Sequence, residues 1–218
     1  NRIMKNRQIL FTVALTFFAI ALFTSCGSSK KTSSVAYTRV DELNEKLQQL
    51  EQAGWQVHGS TRTLRGKLRE HYAKMDANPD FYEVIGTSSG CRSVTVCRAS
   101  AFNAACVEMA TRMGQDLKGK AMRDMGVDEG AEVPAEYNRF QEACISKFQG
   151  AIKGELEESF ALIRKGADGL NNYEIYYLVD KQSARKKRSQ AIRDALEESN
   201  LHQEYAKSVE KFINDEVE

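Results

Sequence analysis

An excess of charge of either sign is missing from this chain. Its 218 residues carry 31 lysines and arginines against 30 aspartates and glutamates, a formal net charge of +1. Such a near-neutral balance gives no electrostatic footprint for nucleic acid, so that class of partner is not expected. Even the +1 is local. Arg2, Lys5 and Arg7 lie in the first 25 residues, which hold no acid, and without those three the remainder is net −2. Histidine is scarce as well. His58, His71 and His202 fall in three separate segments, and no HExxH spacing joins them. They read as surface or internally satisfied histidines, and no metal site is expected. Ser88 and Ser89 sit between glycines, but the frame is not Gly-x-Ser-x-Gly, and no lysine follows as in a phosphate-binding loop. Nucleophilic and nucleotide chemistry of those kinds is therefore not expected. No cofactor is expected, and no internal repeat stands out.

What is present begins with an ordered amino-terminal segment. Asn1 to Ile3 precede Met4, which reads as the natural start. Lys5 and Arg7 are followed by Ile9–Phe23, 15 residues without a charge. A comfortable membrane span needs about 20 residues, so this run reads as the apolar core of a secretory signal. It ends in Phe23-Thr24-Ser25-Cys26. Small residues just before a cysteine resemble the lipobox of bacterial lipoproteins, in which cleavage precedes the cysteine and its thiol takes a diacylglyceryl group. Phe23 stands where that pattern usually has Leu. Cys26 is thus the expected lipid attachment site. Each buried CH₂ adds about 0.8 kcal/mol to membrane association, and two or more chains give stable anchoring. Gly27–Ser34 reads as a flexible tether. The expected organisation is a signal peptide over 1–25, the lipidated cysteine and tether over 26–38, a folded domain over 39–180 and a helical extension over 181–218. With 42% hydrophobic and 28% charged residues, the body is rich enough in apolar side chains to fold as a globular domain.

Periodicity places the elements. Leu43, Leu47 and Leu50 predict a helix over Val40–Ala53, stopped by Gly54. Trp55–His58 alternates as a short strand. Leu64, Leu68 and Tyr72 predict a surface helix over Thr63–Met75, and Asn78-Pro79-Asp80 a turn. Phe81–Ile85 reads as a strand entering a Gly86–Gly90 loop. Val94, Cys97, Ala101, Ala105, Met109 and Leu117 share one face of a helix over Ser93–Lys118. Its small first half permits close approach to a sheet. A second helix is expected over Ala135–Ile152. Leu156–Lys165 and Tyr173–Val179 then read as strands joined by the turn-forming Gly166–Asn172. Lys181–Val217 reads as one long helix or two abutting ones. The order argues for an α+β fold: an antiparallel sheet of three to four strands with helices packed on one face, plus a long C-terminal helix.

Two groups carry candidate chemistry. Gly86, Ser88, Ser89 and Gly90 form a candidate ligand loop, with a structural alternative in which the glycines turn the chain and a serine caps the next helix. Besides Cys26 there are four cysteines: Cys91, Cys97, Cys106 and Cys144. Cys97 and Cys106 on one helix stand about 13 Å apart along the axis, at about 1.5 Å per residue, which forbids their pairing. The open alternatives are a Cys91–Cys97 disulfide, a Cys106–Cys144 contact between helices, and free apolar core thiols. Arg185-Lys-Lys-Arg188 reads as a solvated helix face, with contact to an anionic membrane surface as its functional alternative.

YEVIGTSSG, then CRASAFNAACVEMATRMG, then ELEESFALIRKGADGLNNYEIYYLVD give a strand, a glycine-serine loop, an alanine-rich helix and a hairpin closing on an aromatic strand. This order over Trp55–Val179 resembles a family of small bacterial lipoproteins, the Lpp-twenty family, named for a twenty-kilodalton Helicobacter lipoprotein. Its Gly-x-Gly-x-Ser loop is matched loosely by Gly86–Gly90, its alanine-rich helix by Ala99, Ala101, Ala104 and Ala105, and its last strand by Tyr176–Val179. Related domains occur in envelope assembly proteins, including the flagellar T-ring protein. The resemblance implies no enzyme and brings no active-site residues. The expected protein is a lipid-anchored, non-enzymatic binding or assembly module of the bacterial cell envelope. Its partners are the membrane and an unidentified envelope protein. No acidic tag follows Lys30-Lys31, so an outer-membrane position facing the periplasm is expected. The alternatives are an enzyme or small-ligand binder using the Gly86–Gly90 loop, and a structural subunit assembling through the last helix.

Overall fold

The computed structural model describes residues 32–126 and 134–217. Cys26, the expected signal segment and the first part of the expected tether lie outside the described residues. The chain divides into two units, Asn1–Thr38 and the compact body Arg39–Glu218. Six helices and four strands follow in the order α1 (Thr32–Gln52), β1 (Gln56–His58), α2 (Leu64–Ala77), β2 (Phe81–Cys91), α3 (Val94–Asp124), α4 (Ala135–Ala151), β3 (Glu157–Lys165), β4 (Asn171–Asp180), α5 (Lys181–Glu197) and α6 (Gln203–Val217). Helix α1 begins at Thr32, so the last part of the expected tether is helical. The C-terminal region is two helices rather than one.

The strands form one antiparallel sheet in the order β1-β3-β4-β2. The α+β class and the four antiparallel strands are as expected. A single covered face is not. Side chains alternate across a strand, and both sets find helices. Ala161 of β3 and Tyr173, Ile175 and Tyr177 of β4 pack on Cys97, Ala101 and Ala105 of α3. Phe160 and Leu162 of β3 and Tyr176 of β4 pack on the other side, against Leu47 and Leu50 of α1 and Leu64 and Leu68 of α2. Phe160 and Tyr176 stack there with centroids 4.3 Å apart. The reason is legible in β4: YEIYYLV has large apolar side chains at consecutive positions, so both faces need cover.

Helix α3 has 31 residues, about 46 Å at 1.5 Å per residue. Its first half lies on the sheet. Its second half enters a helical core with α4, α5 and α6, where Met113, Leu117, Phe140, Phe148, Ile192 and Phe212 are buried together. Small residues let the first half come close. A Cβ placed on Gly86 of β2 would fall 2.2 Å from the Ala101 carbonyl oxygen. Two caps set helix starts as their residue types favour. The Thr63 hydroxyl accepts from Gly66 N at 3.2 Å, and the Asp180 carboxylate accepts from Ser183 N at 2.8 Å.

Candidate functional site

Gly86–Gly90 is not a loop. It continues β2, and Gly86, Thr87 and Ser88 pair in register with Ile175, Glu174 and Tyr173 of β4. A register shift between Ser88 and Cys91 and a φ of +70° at Gly90 mark a bulge at the strand's far end. The segment lies against α3. The Ser88 hydroxyl donates to the Cys97 carbonyl at 2.8 Å, and Gly86 is buried under Ala101. Gly86 is thus a close-approach glycine, and the ligand-loop reading of Gly86, Ser88, Ser89 and Gly90 gives way to a packed strand. Thr87, Ser89 and Gly90 are exposed, while Gly86 is buried and Ser88 half-buried. Ser93 holds the capping position before α3, but its hydroxyl makes no capping hydrogen bond. The approach to α3 is fixed instead by Asn171, whose side-chain amide donates to the carbonyls of Cys91 and Arg92.

Cys91, Cys97, Cys106 and Cys144 are all free thiols. Cys91 and Cys97 are nonetheless neighbours. Both contact Ser88, and the Cys97 thiol donates to the Asn171 carbonyl at 3.4 Å. Burial pushes the Cys97 and Cys106 thiols up and the Cys144 thiol up to about 12. Cys97, Cys106 and Cys144 behave as apolar core side chains. His71 is fully buried, with Nε2 2.7 Å from the Glu83 carboxylate and three aromatic rings edge-on around it. His58 Nδ1 is hydrogen-bonded to the Tyr173 hydroxyl at 2.9 Å, and Arg98 donates to that same oxygen while pairing with Glu158. Two of the three histidines are thus held by internal partners, although the buried Nδ1 of His71 has no hydrogen-bond partner. Among the described residues, no group of three or more His, Cys, Asp and Glu side chains could hold a metal ion.

A concavity lies elsewhere, where β2, α3 and α5 meet. It is a cleft of about 570 Å³. Its apolar lining comes from Val84 of β2, Met109 and Met113 of α3, Phe148 of α4 and Ala184 of α5. Its polar lining comes from Tyr82, Arg112, Asp116, Lys181, Arg185 and Arg188, with Glu83 and Glu108 beside them. The elements impose this grouping. Helical spacing puts Lys181, Ala184, Arg185 and Arg188 on one face of α5. It likewise aligns Glu108, Arg112 and Asp116 on α3. β2 is an edge strand, so Tyr82–Ile85 border the cleft along a side that no strand covers. The basic run Arg185–Arg188 is therefore split. Arg185 and Arg188 face the cleft, Lys186 is exposed, and Lys187 pairs with Glu155 at 3.5 Å.

The charges within the cleft are unevenly placed. Glu108 pairs with Arg112, Glu83 with His71, and Lys181 donates to the Pro79 carbonyl at 2.7 Å. Burial holds the Arg188 guanidinium below its ordinary range, with Asp116 opposing the shift and the like charge of Arg185 adding to it. Burial pushes the Tyr82 phenol up, against the pull of Arg188 and Arg112. Two guanidiniums therefore share the neighbourhood of one phenol above an apolar floor. Sequence reasoning did not find this site, because its residues come from four elements. The spacing of Lys181, Arg185 and Arg188 beside Ala184 was the one local signal.

No protein-family model matches this chain. No curated protein matches it either.

Proposed function

We propose that this protein is a lipid-anchored component of the bacterial cell envelope that acts by binding rather than catalysis. The observation that carries the reading is the order of features ending at Cys26: basic Lys5 and Arg7, the uncharged Ile9–Phe23, then Thr24-Ser25-Cys26. Charge, length, small residues and cysteine fall in the sequence a lipoprotein signal requires. The resemblance to the Lpp-twenty family supports the same reading and brings no active-site residues. Among the described residues, no helix is long and apolar enough to cross a membrane. The folded body would be held at an outer membrane, facing the periplasm, with its cleft as the binding surface. Radiolabelled palmitate fed to cells producing the full chain is expected to enter the wild type and not Cys26→Ala. Label in both proteins, or in neither, overturns the anchoring.

Self-assembly through the last helix, the other expectation, is less well supported. The apolar residues of α6, Val209, Phe212 and Ile213, are buried inside the body. These three side chains are thus already spent on the body's own core rather than held out to a second copy.

A further inference from the structure

We infer that the free edge of β2 binds an extended peptide of a partner protein by strand addition, one carrying an acidic side chain two positions from an apolar one. The inference rests on the binding role proposed above and adds the kind of partner. The course of the cleft is the first argument. Tyr82, Glu83, Val84 and Ile85 all border it. Consecutive side chains of a strand point to opposite faces, so a cleft bordered by four in a row runs along the strand's edge and not over one face. Four residues of strand span about 13 Å, at about 3.3 Å each. The volume of about 570 Å³ lies within the roughly 300–1,000 Å³ of ordinary ligand sites.

The second argument is the chemistry of the edge. From Phe81 to Ser88, β2 pairs with β4 without a break, and it is the last strand of the sheet. The N–H and C=O of every second residue therefore point away from β4. Among the described residues, no other element hydrogen-bonds the backbone of Tyr82–Thr87. The usual guards of an edge are missing from this stretch. It has no proline, its bulge follows Ser88, and its one charge, Glu83, is held by His71. Donors and acceptors at a two-residue repeat match an extended backbone. A helix, whose amides are bonded internally, does not match them.

The walls supply the side-chain preference. Tyr82 and Val84 pack toward the helical core, and Ile85 packs toward α1 and α2. On the helical side Met109 and Met113 share the cleft with Val84 as an adaptable apolar floor. Asp180, just before α5, pairs with Phe81, so that helix starts beside the first residues of β2. One turn into it stands Arg185, half-buried and without an ion pair among the described residues. A peptide residue over the methionines is thus apolar, and the next residue on that face, toward Tyr82, is acidic to meet Arg185.

Full-length protein carrying Cys26→Ala is followed by residue-resolved amide hydrogen exchange, alone and with the peptide acetyl-Ser-Glu-Thr-Val-Ser-Thr-amide. In the free protein, alternate amides of Tyr82–Thr87 are expected to exchange rapidly, and millimolar peptide is expected to slow them at least about ten-fold. The peptide with Lys in place of Glu is expected to bind at least about ten-fold more weakly. Arg185→Glu is expected to abolish that preference with the unfolding midpoint preserved. Methylating the peptide's backbone nitrogens at alternate residues is expected to abolish binding in one frame and to spare it in the other. The inference is overturned by slow exchange of these amides in the free protein, by no slowing with peptide, by equal binding of the two methylated frames, or by equal affinity for the Glu and Lys peptides. Protection that grows with protein concentration alone assigns the edge to a second copy and overturns it as well. Because the protein lacks the Cys26 thiol, this result is independent of whether palmitate labels the wild type.

Discussion

Single atoms decide the contact between β2 and α3. Gly86 is where strand and helix backbones meet, and the obstacle to a side chain is the Ala101 carbonyl, which cannot rotate away. Gly114 looks similar, since a Cβ there would fall 2.6 Å from Ile145 Cδ1. That neighbour, with its Cγ1 at 2.7 Å, is a side chain that can shift where a backbone carbonyl cannot, and alanine in a helix interior recovers about 1 kcal/mol over glycine. The two substitutions should therefore differ sharply. Gly86→Ala is expected to cost about 3 kcal/mol or more, in the upper range of overpacking. Gly114→Ala is expected to cost at least about 1 kcal/mol less. Urea unfolding of the two variants measures the difference, and equal midpoints would count against the close approach. In the sequence, Gly86 was visible as one of several glycines among serines. What it touches was not, because Ala101 lies fifteen positions away and only the pairing of β2 with β4 brings α3 over it.

Within the elements, β4 carries the largest share of information. Its alternation was hidden, because Tyr173, Ile175 and Tyr177 serve one face of the sheet while Tyr176 serves the other. A strand buried on both sides reads as continuously apolar, so the sequence showed that β4 is a strand and not how many layers cover it. Glu174 interrupts this strand. It accepts from the Tyr176 hydroxyl at 3.3 Å and lies near Lys46 and Arg164. Burial nevertheless raises its carboxyl above the ordinary 4.5. The folded state then binds this proton more tightly than the unfolded chain. The stability it contributes is full below pH 4.5 and is lost as pH rises through the folded-state value. Glutamine keeps an acceptor for Tyr176 and cannot ionise. Glu174→Gln is expected to match the wild type at pH 4 and to exceed it at pH 8 in denaturant unfolding. An equal difference at both pH values would disprove the assignment. The helices were more legible than the strands. The stripes Leu43-Leu47-Leu50 and Cys97-Ala101-Ala105 both face cores as their spacing required, whereas the end of β2 was taken for a loop because its residues are small and polar.

For the whole molecule, the C-terminal helices belong to the body and are not an appendage. Phe212 of α6 is buried, with the cations of Lys120 and Arg188 each 5.9 Å from its ring centre. Phe212→Ala should cost about 3–5 kcal/mol, the range for deleting a buried aromatic side chain. Thermal unfolding followed by circular dichroism reads this loss, and a change below about 1 kcal/mol would mean that α6 is only loosely attached. The cleft was illegible for a related reason: Arg112 and Arg185 are 73 positions apart, and their meeting depends on where α5 lands after the sheet is complete. α3 gives this arrangement its final consequence. Its 31 residues run from one core into the other without a break. Melting either core leaves half of this helix without its packing partner, so a half-folded species pays an exposed helix as a penalty and stays sparse. Heat or a denaturant would therefore encounter one cooperative unit, in which the sheet and the helical core are lost together.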